Sequence, residues 1–323
     1  MMEQTHLLDA YRQCELCPNY CRVDRSNKKT GRCGETDEVR VAWSGLHRGE
    51  EPPVTGKNGS GMIFFCGCPL HCAYCQNHQI SGGIYGGDPS IGVVVTVEEL
   101  ATLMLSLQDF GAANINLVTG THFIPSIVAA IEQARIRGLE LQIVWNTSGF
   151  ESKEGLKLID PYVDLYLIDV KTLDEKVAKT FCGLPAYSAS ILPVMEFLKK
   201  RHPKVVELED GSLQGLLVRH LLFPGTIDAT KEFLKYFAKE LKDSAYLSLM
   251  VQFVPPLNDV VFPEITEDDY DELIALMDTL EIEDGFVQEL SENISWIPDF
   301  SQDIPFPKGF ADVLPFFLEL KHR

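Results

Sequence analysis

The sequence predicts an α/β fold, a partial (βα)6 TIM-like barrel with an irregular, cysteine-rich N-terminal extension. From about residue 93, single helical segments alternate with short apolar segments, which is the rhythm of βαβ units and a parallel sheet. The repeating region, residues 61–289, is a little short of the roughly 250 residues of a complete eight-stranded barrel. Its first strand runs into a cysteine cluster and not into the glycine-rich turn of a dinucleotide-binding sheet.

The predicted strands are short and apolar, as buried parallel strands are. In chain order, six main strands and a seventh candidate are GMIFFC, NINLVT, LELQIVWNT, VDLYLIDV, GLLVRHLLF, AYLSLMVQF and GFVQE. Helical spacing predicts the intervening helices TVEELATLMLSLQDF, HFIPSIVAAIEQARIRG, SKEGLKLI, residues 174–181, residues 189–201, DATKEFLKYFAKELK and EDDYDELIALMDTLE. Thr96 and Glu99 form an N-terminal capping pattern for the first helix, and Gly138 closes the second.

Three regions follow from this pattern. Residues 1–60 form a cysteine-rich extension, a candidate metal-binding region with glycine- and proline-rich turns and no regular alternation. Residues 61–290 form the barrel. Residues 291–323 begin with many prolines and aromatic residues, and we expect this tail to pack on the barrel surface.

Composition limits the class of protein. No run of 18 apolar residues is present, so we expect no membrane span, and the first residues lack the pattern of a signal peptide, so we expect a cytoplasmic protein. Structural disulfides are rare in that compartment, and the nine cysteines are clustered, which indicates metal binding. The formal net charge of -19 disfavours a nucleic-acid substrate.

The loop after the first strand carries Cys68, Cys72 and Cys75 at the spacing C-x3-C-x2-C, with Tyr74 before the last cysteine. Thiolates are soft ligands suited to zinc or to iron–sulfur clusters. Three thiolates on a four-iron cluster leave one iron without a protein ligand, where a substrate or cofactor can bind. Structural zinc instead takes four ligands in two separated pairs. We therefore expect an iron–sulfur cluster, with structural zinc or plain reduced thiols as the alternatives.

This motif and most of the chain resemble the radical S-adenosylmethionine (radical SAM) superfamily. Within it, the resemblance is to the pyruvate formate-lyase activating enzyme-like branch, and more narrowly to its uncharacterised relatives with an N-terminal cysteine motif. The segments that carry it are HRGEEPPVTGKNGSGMIFFCGCPLHCAYCQN, NINLVTGTHFIP, WNTSGFES, VDLYLIDVK, LLVRHLLFPG and LMVQFVPP.

The resemblance implies a [4Fe-4S] cluster whose open iron binds S-adenosyl-L-methionine. It also implies reductive cleavage of that cofactor to methionine and a 5′-deoxyadenosyl radical, which abstracts hydrogen from a substrate. A fourth thiolate ligand would block the cofactor. We therefore expect Cys66, two residues before Cys68, to be a small core residue.

Polar residues at the predicted strand ends are candidates for cofactor contacts. The superfamily often has a Gly-Gly-Glu-like motif after the second strand, where this sequence has Thr119, Gly120 and Thr121 and no glutamate. Threonine hydroxyls or backbone carbonyls would then contact the amino group of the cofactor. The other candidates for cofactor binding are Asn77, Asn146, Thr147, Asp169, Lys171, Arg219 and Gln252. Turn formation is the alternative role of Asn146 and Thr147.

Asp169 and Lys171 are the strongest of these candidates. They alternate onto one face at the end of an apolar strand, where polar side chains need a partner. They match an Asp-x-Lys motif of the activating-enzyme branch, so the resemblance implies a catalytic role, with a structural ion pair as the alternative. Arg219 is a candidate carboxylate clamp, and an ion pair inside the barrel is its alternative.

A second cysteine group, Cys14, Cys17, Cys21 and Cys33, has the spacing C-x2-C-x3-C-x11-C. Four thiols can complete a closed site for zinc, which would stabilise a region with little core, or for an iron–sulfur cluster, which would suit electron delivery. The sequence leaves three alternatives for this group: zinc, an iron–sulfur cluster, or no metal. Cys182 is expected to be structural, and His122 is not expected to be a ligand.

The leading hypothesis is a radical SAM enzyme that takes hydrogen from a protein or peptide, as in glycyl-radical activation. Its electron donor would be a protein such as flavodoxin or ferredoxin. Two alternatives remain: radical SAM modification of RNA or a small metabolite, and a non-catalytic, zinc-stabilised interaction protein.

Overall fold

One sheet organises the protein, whose computed structural model describes residues 7–82, 86–256, 263–290 and 297–323. Its strands are β1 (Val39–His47), β2 (Ser60–Phe65), β3 (Val93–Val95), β4 (Ile115–Val118), β5 (Ile143–Thr147), β6 (Leu165–Asp169), β7 (Val206–Glu207), β8 (Leu213–Leu221), β9 (Tyr246–Met250), β10 (Gly285–Val287) and β11 (Ala311–Val313). Their order is β10-β9-β8-β6-β5-β4-β2-β1-β11, with β3 paired to β1 and β7 paired to β8.

The strands from β2 to β10 along this path pair in parallel at every step. They correspond to the six main predicted strands and the seventh candidate. The predicted partial barrel of parallel strands is therefore confirmed. Because parallel strands point the same way, their carboxyl ends meet at one edge of the sheet, where such folds place their chemistry.

Ten α-helices accompany these strands in the described part of the chain, and the helical spacing predicts seven of them, the third to the ninth in the list that follows. They are α1 (Pro52–Thr55), α2 (His78–Ser81), α3 (Val97–Asp109), α4 (Ile124–Ile136), α5 (Lys153–Ile159), α6 (Glu175–Phe181), α7 (Tyr187–Arg201), α8 (Ile227–Glu240), α9 (Glu267–Thr279) and α10 (Pro315–Lys321). At the start of α3, the Thr96 hydroxyl accepts from the Glu99 amide while the Glu99 carboxylate accepts from the Thr96 amide, which confirms the predicted capping box. Among the described residues, no helix has the length and apolar character needed to cross a membrane.

The sheet is buried on both faces. The face toward the helices belongs to the large apolar core. The inner face forms a smaller cluster of Val54, Val144, Leu165, Leu167, Leu213 and Leu217. Val54 comes from α1 and is fully buried, so the loop before β2 fills part of the barrel interior.

The predicted extension and tail both add strands to the sheet. β1 pairs antiparallel with β2, and β11 pairs antiparallel with β1. β1 is almost completely buried, but Arg40, Ser44 and Gly45 interrupt its apolar residues, so its sequence shows neither a continuous apolar run nor an alternation. Residues 291–296 of the predicted tail lie outside the described part of the chain. Further along, Phe306 packs on Trp43 at 5.0 Å between ring centroids, so this stretch lies along the barrel.

Candidate metal centre and cofactor site

The loop that leaves β2 brings Cys68, Cys72 and Cys75 together. All three thiols are free of disulfides and half-buried. Burial raises the pKa of Cys75 to about 11 and that of Cys68 well above its usual value, and the neighbouring thiols of the loop raise both further. The three thiols are therefore close enough for the charge on one to shift the pKa of another.

A buried ammonium group accompanies these thiols. Lys171 Nζ lies 2.8 Å from Asp169 Oδ2, and both side chains are mostly buried. Burial alone would lower the pKa of Lys171, but Asp169 and the Cys72 thiol raise it above its usual value. The same ammonium acts on the charges of Cys68, Cys72 and Cys75. The positive charge of Lys171 thus acts on all three cysteines of the loop.

The residues present fit a four-iron cluster. The donor set is three soft thiols beside one buried cation, which suits a guest that carries negative charge. The Tyr74 hydroxyl is buried next to Cys72, and its contact with that thiol lowers the pKa of Cys72. No three His, Cys, Asp or Glu side chains in the described ranges form a set for a single metal ion. A cluster is a larger guest, because each of its thiolates binds a different iron.

Cys66 lies apart from this set, in the apolar core. It is 2% exposed, and its sulfur donates to the Ile91 carbonyl at 3.6 Å. Burial raises its pKa to about 12, so the thiol stays protonated. Cys66 is a core residue, as its position at the strand end predicts.

Cys182 lies against the cysteine loop. It is fully buried, and its thiol is within hydrogen-bonding reach of Cys72. This contact lowers the pKa of Cys72 and raises that of Cys182. A thiolate at Cys72 would accept a hydrogen bond from the Cys182 thiol. The expectation of a purely structural residue missed this contact, because nothing in the sequence brings the end of α6 to the loop.

An aromatic cluster lies beneath the loop. It consists of Tyr74, Phe181, Phe223 and Phe253. Phe181 stacks on Phe223 with centroids 4.5 Å apart, and Lys171 Nζ lies 5.8 Å from the centroid of Tyr74. Cys72 packs against the cluster, so water has little access to the loop from this side.

The predicted cofactor residues fall into two groups. Asn146, Asp169 and Arg219 continue the alternation of the inner-face valine and leucines, so they point into the barrel, and Lys171 follows on the same face. Gln252, past the end of β9, donates from Nε2 to the Glu289 carbonyl at 3.1 Å. Asn77 stands before α2, at the end of the cysteine loop.

The residues of the second group lie on the helix side of the sheet, where they pack or donate hydrogen bonds to a buried carboxylate, Glu151. Thr121 donates to Glu151 Oε1 at 2.8 Å, and Thr147 donates to the same oxygen. A side chain at Gly120 would meet the ends of the Ile127 and Trp145 side chains at 2.7 and 2.8 Å, so packing favours glycine there. Thr119 has a φ of 59° and its amide donates to the Asn146 carbonyl at 2.9 Å.

Glu151 was not among the predicted site residues. It is 1% exposed, and it accepts from Thr121, Thr147 and the Trp145 indole, the last at 3.1 Å. Burial raises its pKa above the usual value, and its Oε2 atom has no partner among the described residues. Its place in WNTSGFES gave no sign of burial, because it follows a turn.

Arg219 binds two carboxylates of the chain itself, as its ion-pair alternative describes. Its guanidinium lies 2.6 Å from Glu50 and contacts Glu51, with Nε donating to Glu51 at 2.8 Å. His47 Nδ1 lies 3.1 Å from Glu50. Burial alone would raise the pKa of Glu50, but Arg219 and His47 lower it to about 2. The sequence shows both glutamates only as a polar pair before two prolines.

The N-terminal cysteines also lie near one another. Burial raises the pKa of Cys17 to about 12, and Cys14, Cys33 and Cys21 add to the increase. The Arg32 amide donates to Cys21 Sγ at 3.4 Å. Cys14 and Cys33 are buried, and Cys17 and Cys21 are half-buried.

Replacing Cys182 by alanine removes a thiol donor to Cys72. Hydrogen bonds to cluster sulfurs raise the reduction potential, so C182A should lower the midpoint potential of the reconstituted cluster by on the order of 50 mV. C182S keeps a donor and should restore most of the loss. C66A removes an equally buried thiol outside the loop and is the control. A redox titration followed by electron paramagnetic resonance measures this, and equal potentials in C182A and C66A would contradict it.

The low pKa of Glu50 makes stability depend on pH. The stabilisation is complete above about pH 4.5 and is lost as pH falls toward about 2, which amounts to on the order of 3 kcal/mol. Urea unfolding at several pH values should show that E50Q loses this much less stability on acidification than the unmodified protein. E196Q, which changes an exposed ion pair, should lose as much stability on acidification as the unmodified protein does. Parallel curves for all three proteins would refute the assignment.

Comparison with known proteins identifies the family. Residues 62–237 match the Radical SAM superfamily. An uncharacterised protein of Methanocaldococcus jannaschii is 25% identical over 256 residues, which cover 79% of this chain and 70% of that protein. FeFe-hydrogenase maturase HydG from Carboxydothermus hydrogenoformans matches with a TM-score of 0.51 and 12% identity over 79% of this chain. Streptococcus suis SuiB bound to S-adenosylmethionine matches with a TM-score of 0.43 and 9% identity over 69% of this chain.

A domain of a pyruvate-formate lyase-activating enzyme from Bacteroides vulgatus matches with a TM-score of 0.37 and 15% identity, over 51% of this chain and 91% of that domain. The chain spans 63% of the maturase and 45% of SuiB. At 12% identity, the likeness to the maturase concerns the fold alone. The family match covers more than half of the chain and includes the cysteine loop. The chain therefore belongs to the radical SAM superfamily.

Proposed function

We propose that this radical SAM enzyme is an oxidoreductase of the activating-enzyme type, which takes a hydrogen atom from a protein or peptide. Membership of the superfamily implies an enzyme with a [4Fe-4S] cluster and bound S-adenosylmethionine. The observation that carries the proposal is the cysteine loop itself. Three free thiols face one buried ammonium at the carboxyl edge of a parallel sheet.

Cys68, Cys72 and Cys75 would hold the cluster. When bound and reduced, the cluster supplies one electron that cleaves S-adenosylmethionine to methionine and a 5′-deoxyadenosyl radical. Lys171 offsets negative charge at the thiolates, and Asp169 fixes the position of that ammonium. The aromatic cluster below Tyr74 keeps water from the reacting region, which a radical enzyme needs in order to avoid side reactions.

A protein or peptide substrate is supported by charge. The net charge of -19 repels a phosphodiester backbone, and two further carboxylates, Glu50 and Glu51, lie on the inner side of the barrel. With Asp169, Lys171 and Arg219, this inner group sums to one negative charge. Such a lining favours neutral or cationic groups over phosphates.

We also propose that Cys14, Cys17, Cys21 and Cys33 hold a second metal, with zinc and iron–sulfur as the candidates. The support is that the charges of Cys14, Cys33 and Cys21 act on the Cys17 thiol, and that the charge of Cys14 also acts on Cys33. A flavodoxin or ferredoxin is the proposed electron donor.

Deuterium transfer tests the substrate class. Protein, RNA and small-metabolite fractions from cells grown in heavy water are incubated separately with the reconstituted enzyme, S-adenosylmethionine and dithionite. Mass spectrometry should find deuterated 5′-deoxyadenosine with the protein fraction. The triple variant with Cys68, Cys72 and Cys75 changed to alanine is the control and should form none. Label arriving only from RNA or from metabolites would overturn the proposed substrate.

Replacing Asp169 or Lys171 by alanine should slow cofactor cleavage while the cluster remains. The loss of a hydrogen bond to a charged group costs about 1.5–3 kcal/mol, which corresponds to a roughly ten- to hundredfold drop in cofactor affinity or rate. The assay follows 5′-deoxyadenosine formation beside the iron–sulfur absorption spectrum. K200A, at an exposed ion pair, is the matched control. Unchanged rates and affinities in D169A and K171A would return both residues to a structural role.

A further inference from the structure

Asn19 joins the N-terminal cysteines to the loop that carries the radical SAM motif. Its side-chain amide donates to Cys17 Sγ at 3.6 Å and to the Pro69 carbonyl at 2.8 Å. Pro69 is covalently next to Cys68. One side chain and two hydrogen bonds therefore separate a sulfur of the first group from a neighbour of the second.

Arg32 and His71 form a second connection of the same kind. The Arg32 amide donates to Cys21 Sγ at 3.4 Å, and the Arg32 carbonyl accepts from His71 Nε2 at 3.0 Å. His71 is covalently next to Cys72. The guanidinium of Arg32 also donates to the Gly183 carbonyl at 3.4 Å, beside Cys182. The two cysteine groups thus share two independent hydrogen-bonded paths.

Arg25 indicates what charge the N-terminal group carries. It is 0% exposed, and its guanidinium donates to the carbonyls of Glu35, Thr36 and His122. It lies 3.9 Å from Cys14 Sγ. A buried cation needs a compensating negative charge, and metal-bound thiolates at the N-terminal group would supply it beside Glu35. The same cation favours the addition of an electron to such a site, because it stabilises the added negative charge.

Four protein thiolates complete a four-iron cluster and leave no open iron. Such a site cannot bind S-adenosylmethionine, whereas it can accept and release electrons. Structural zinc also takes four thiolates, but no three of these cysteines form a set for a single metal ion in the described residues, and zinc takes up no electrons.

We propose that Cys14, Cys17, Cys21 and Cys33 bind a second [4Fe-4S] cluster that delivers electrons to the first through Asn19 and through Arg32 and His71. A low-potential one-electron donor, such as reduced flavodoxin or ferredoxin, is oxidised as the second cluster is reduced by one electron. That cluster is reoxidised as the electron passes to the first, where S-adenosylmethionine is the final acceptor. The inference rests on the proposed function for its last step only.

Metal analysis of the anaerobically reconstituted protein is the first test. Two clusters require about eight iron and eight sulfide ions per chain, and reduced protein should show the magnetic interaction of two nearby clusters. The variant with Cys14, Cys17, Cys21 and Cys33 changed to serine should keep about four iron ions, and the interaction should vanish. About four iron ions and one zinc ion in the unmodified chain would overturn the proposal. These readouts do not depend on catalysis, so they stand even if no substrate is found.

Electron delivery is the second test, and it uses variants that keep all eight cysteines of both groups. N19L and H71F should retain about eight iron ions, while the ratio of flavodoxin-driven to dithionite-driven 5′-deoxyadenosine formation falls at least about tenfold. Dithionite is a small reductant that does not need the path. N27L is the matched control, because Asn27 lies in the same extension and bonds only locally to Asp24. An unchanged ratio in both N19L and H71F would refute the path. Failure of the unmodified protein to form 5′-deoxyadenosine with dithionite would instead refute the proposed function.

Discussion

The site depends on one ammonium group held out of water beside three thiols. A lysine that loses its hydration needs a fixed counter-charge, and Asp169 at 2.8 Å provides it for Lys171. This pair can face the cysteine loop only because β6 and β2 run in the same direction, so that both end at one edge of the sheet. The parallel strands, the cysteine loop and the Asp169–Lys171 pair therefore depend on one another: the strands bring the ammonium to the loop, and Asp169 compensates its charge.

The same problem recurs at two other buried cations of this acidic chain. Arg219 is enclosed by Glu50 and Glu51, which reach it from the loop that plugs the barrel. Arg25 is enclosed by backbone carbonyls and lies beside Cys14. Each cation fastens a segment from the first 60 residues to the barrel. Charge pairing at Arg219 and hydrogen bonds to backbone carbonyls at Arg25, and not apolar packing alone, position the N-terminal region on the sheet.

The alternation of strands and helices was enough to predict the parallel part of the fold and the cysteine loop at its edge. Asp169 and Lys171 were also recognisable, since two polar residues at the end of an apolar strand need a reason. Glu151, Asn19 and the contact between Cys182 and Cys72 were not predictable, because each joins segments that are distant in sequence or hides a polar residue after a turn. β1 escaped prediction for another reason, since Arg40, Ser44 and Gly45 break the apolar run by which the other buried strands were recognised.

The pairing of β11 with β1 has a consequence for how the protein is made. Gly45 lies opposite Val313, so β1 pairs with a strand that is far away in the sequence. Until residues 311–313 are synthesised, the part of the β1 edge that they cover is unpaired, and an unpaired edge is a template for pairing with a neighbouring copy. Contacts between such distant segments also form slowly. The pairing of β11 with β1 is thus the folding step that competes most directly with aggregation.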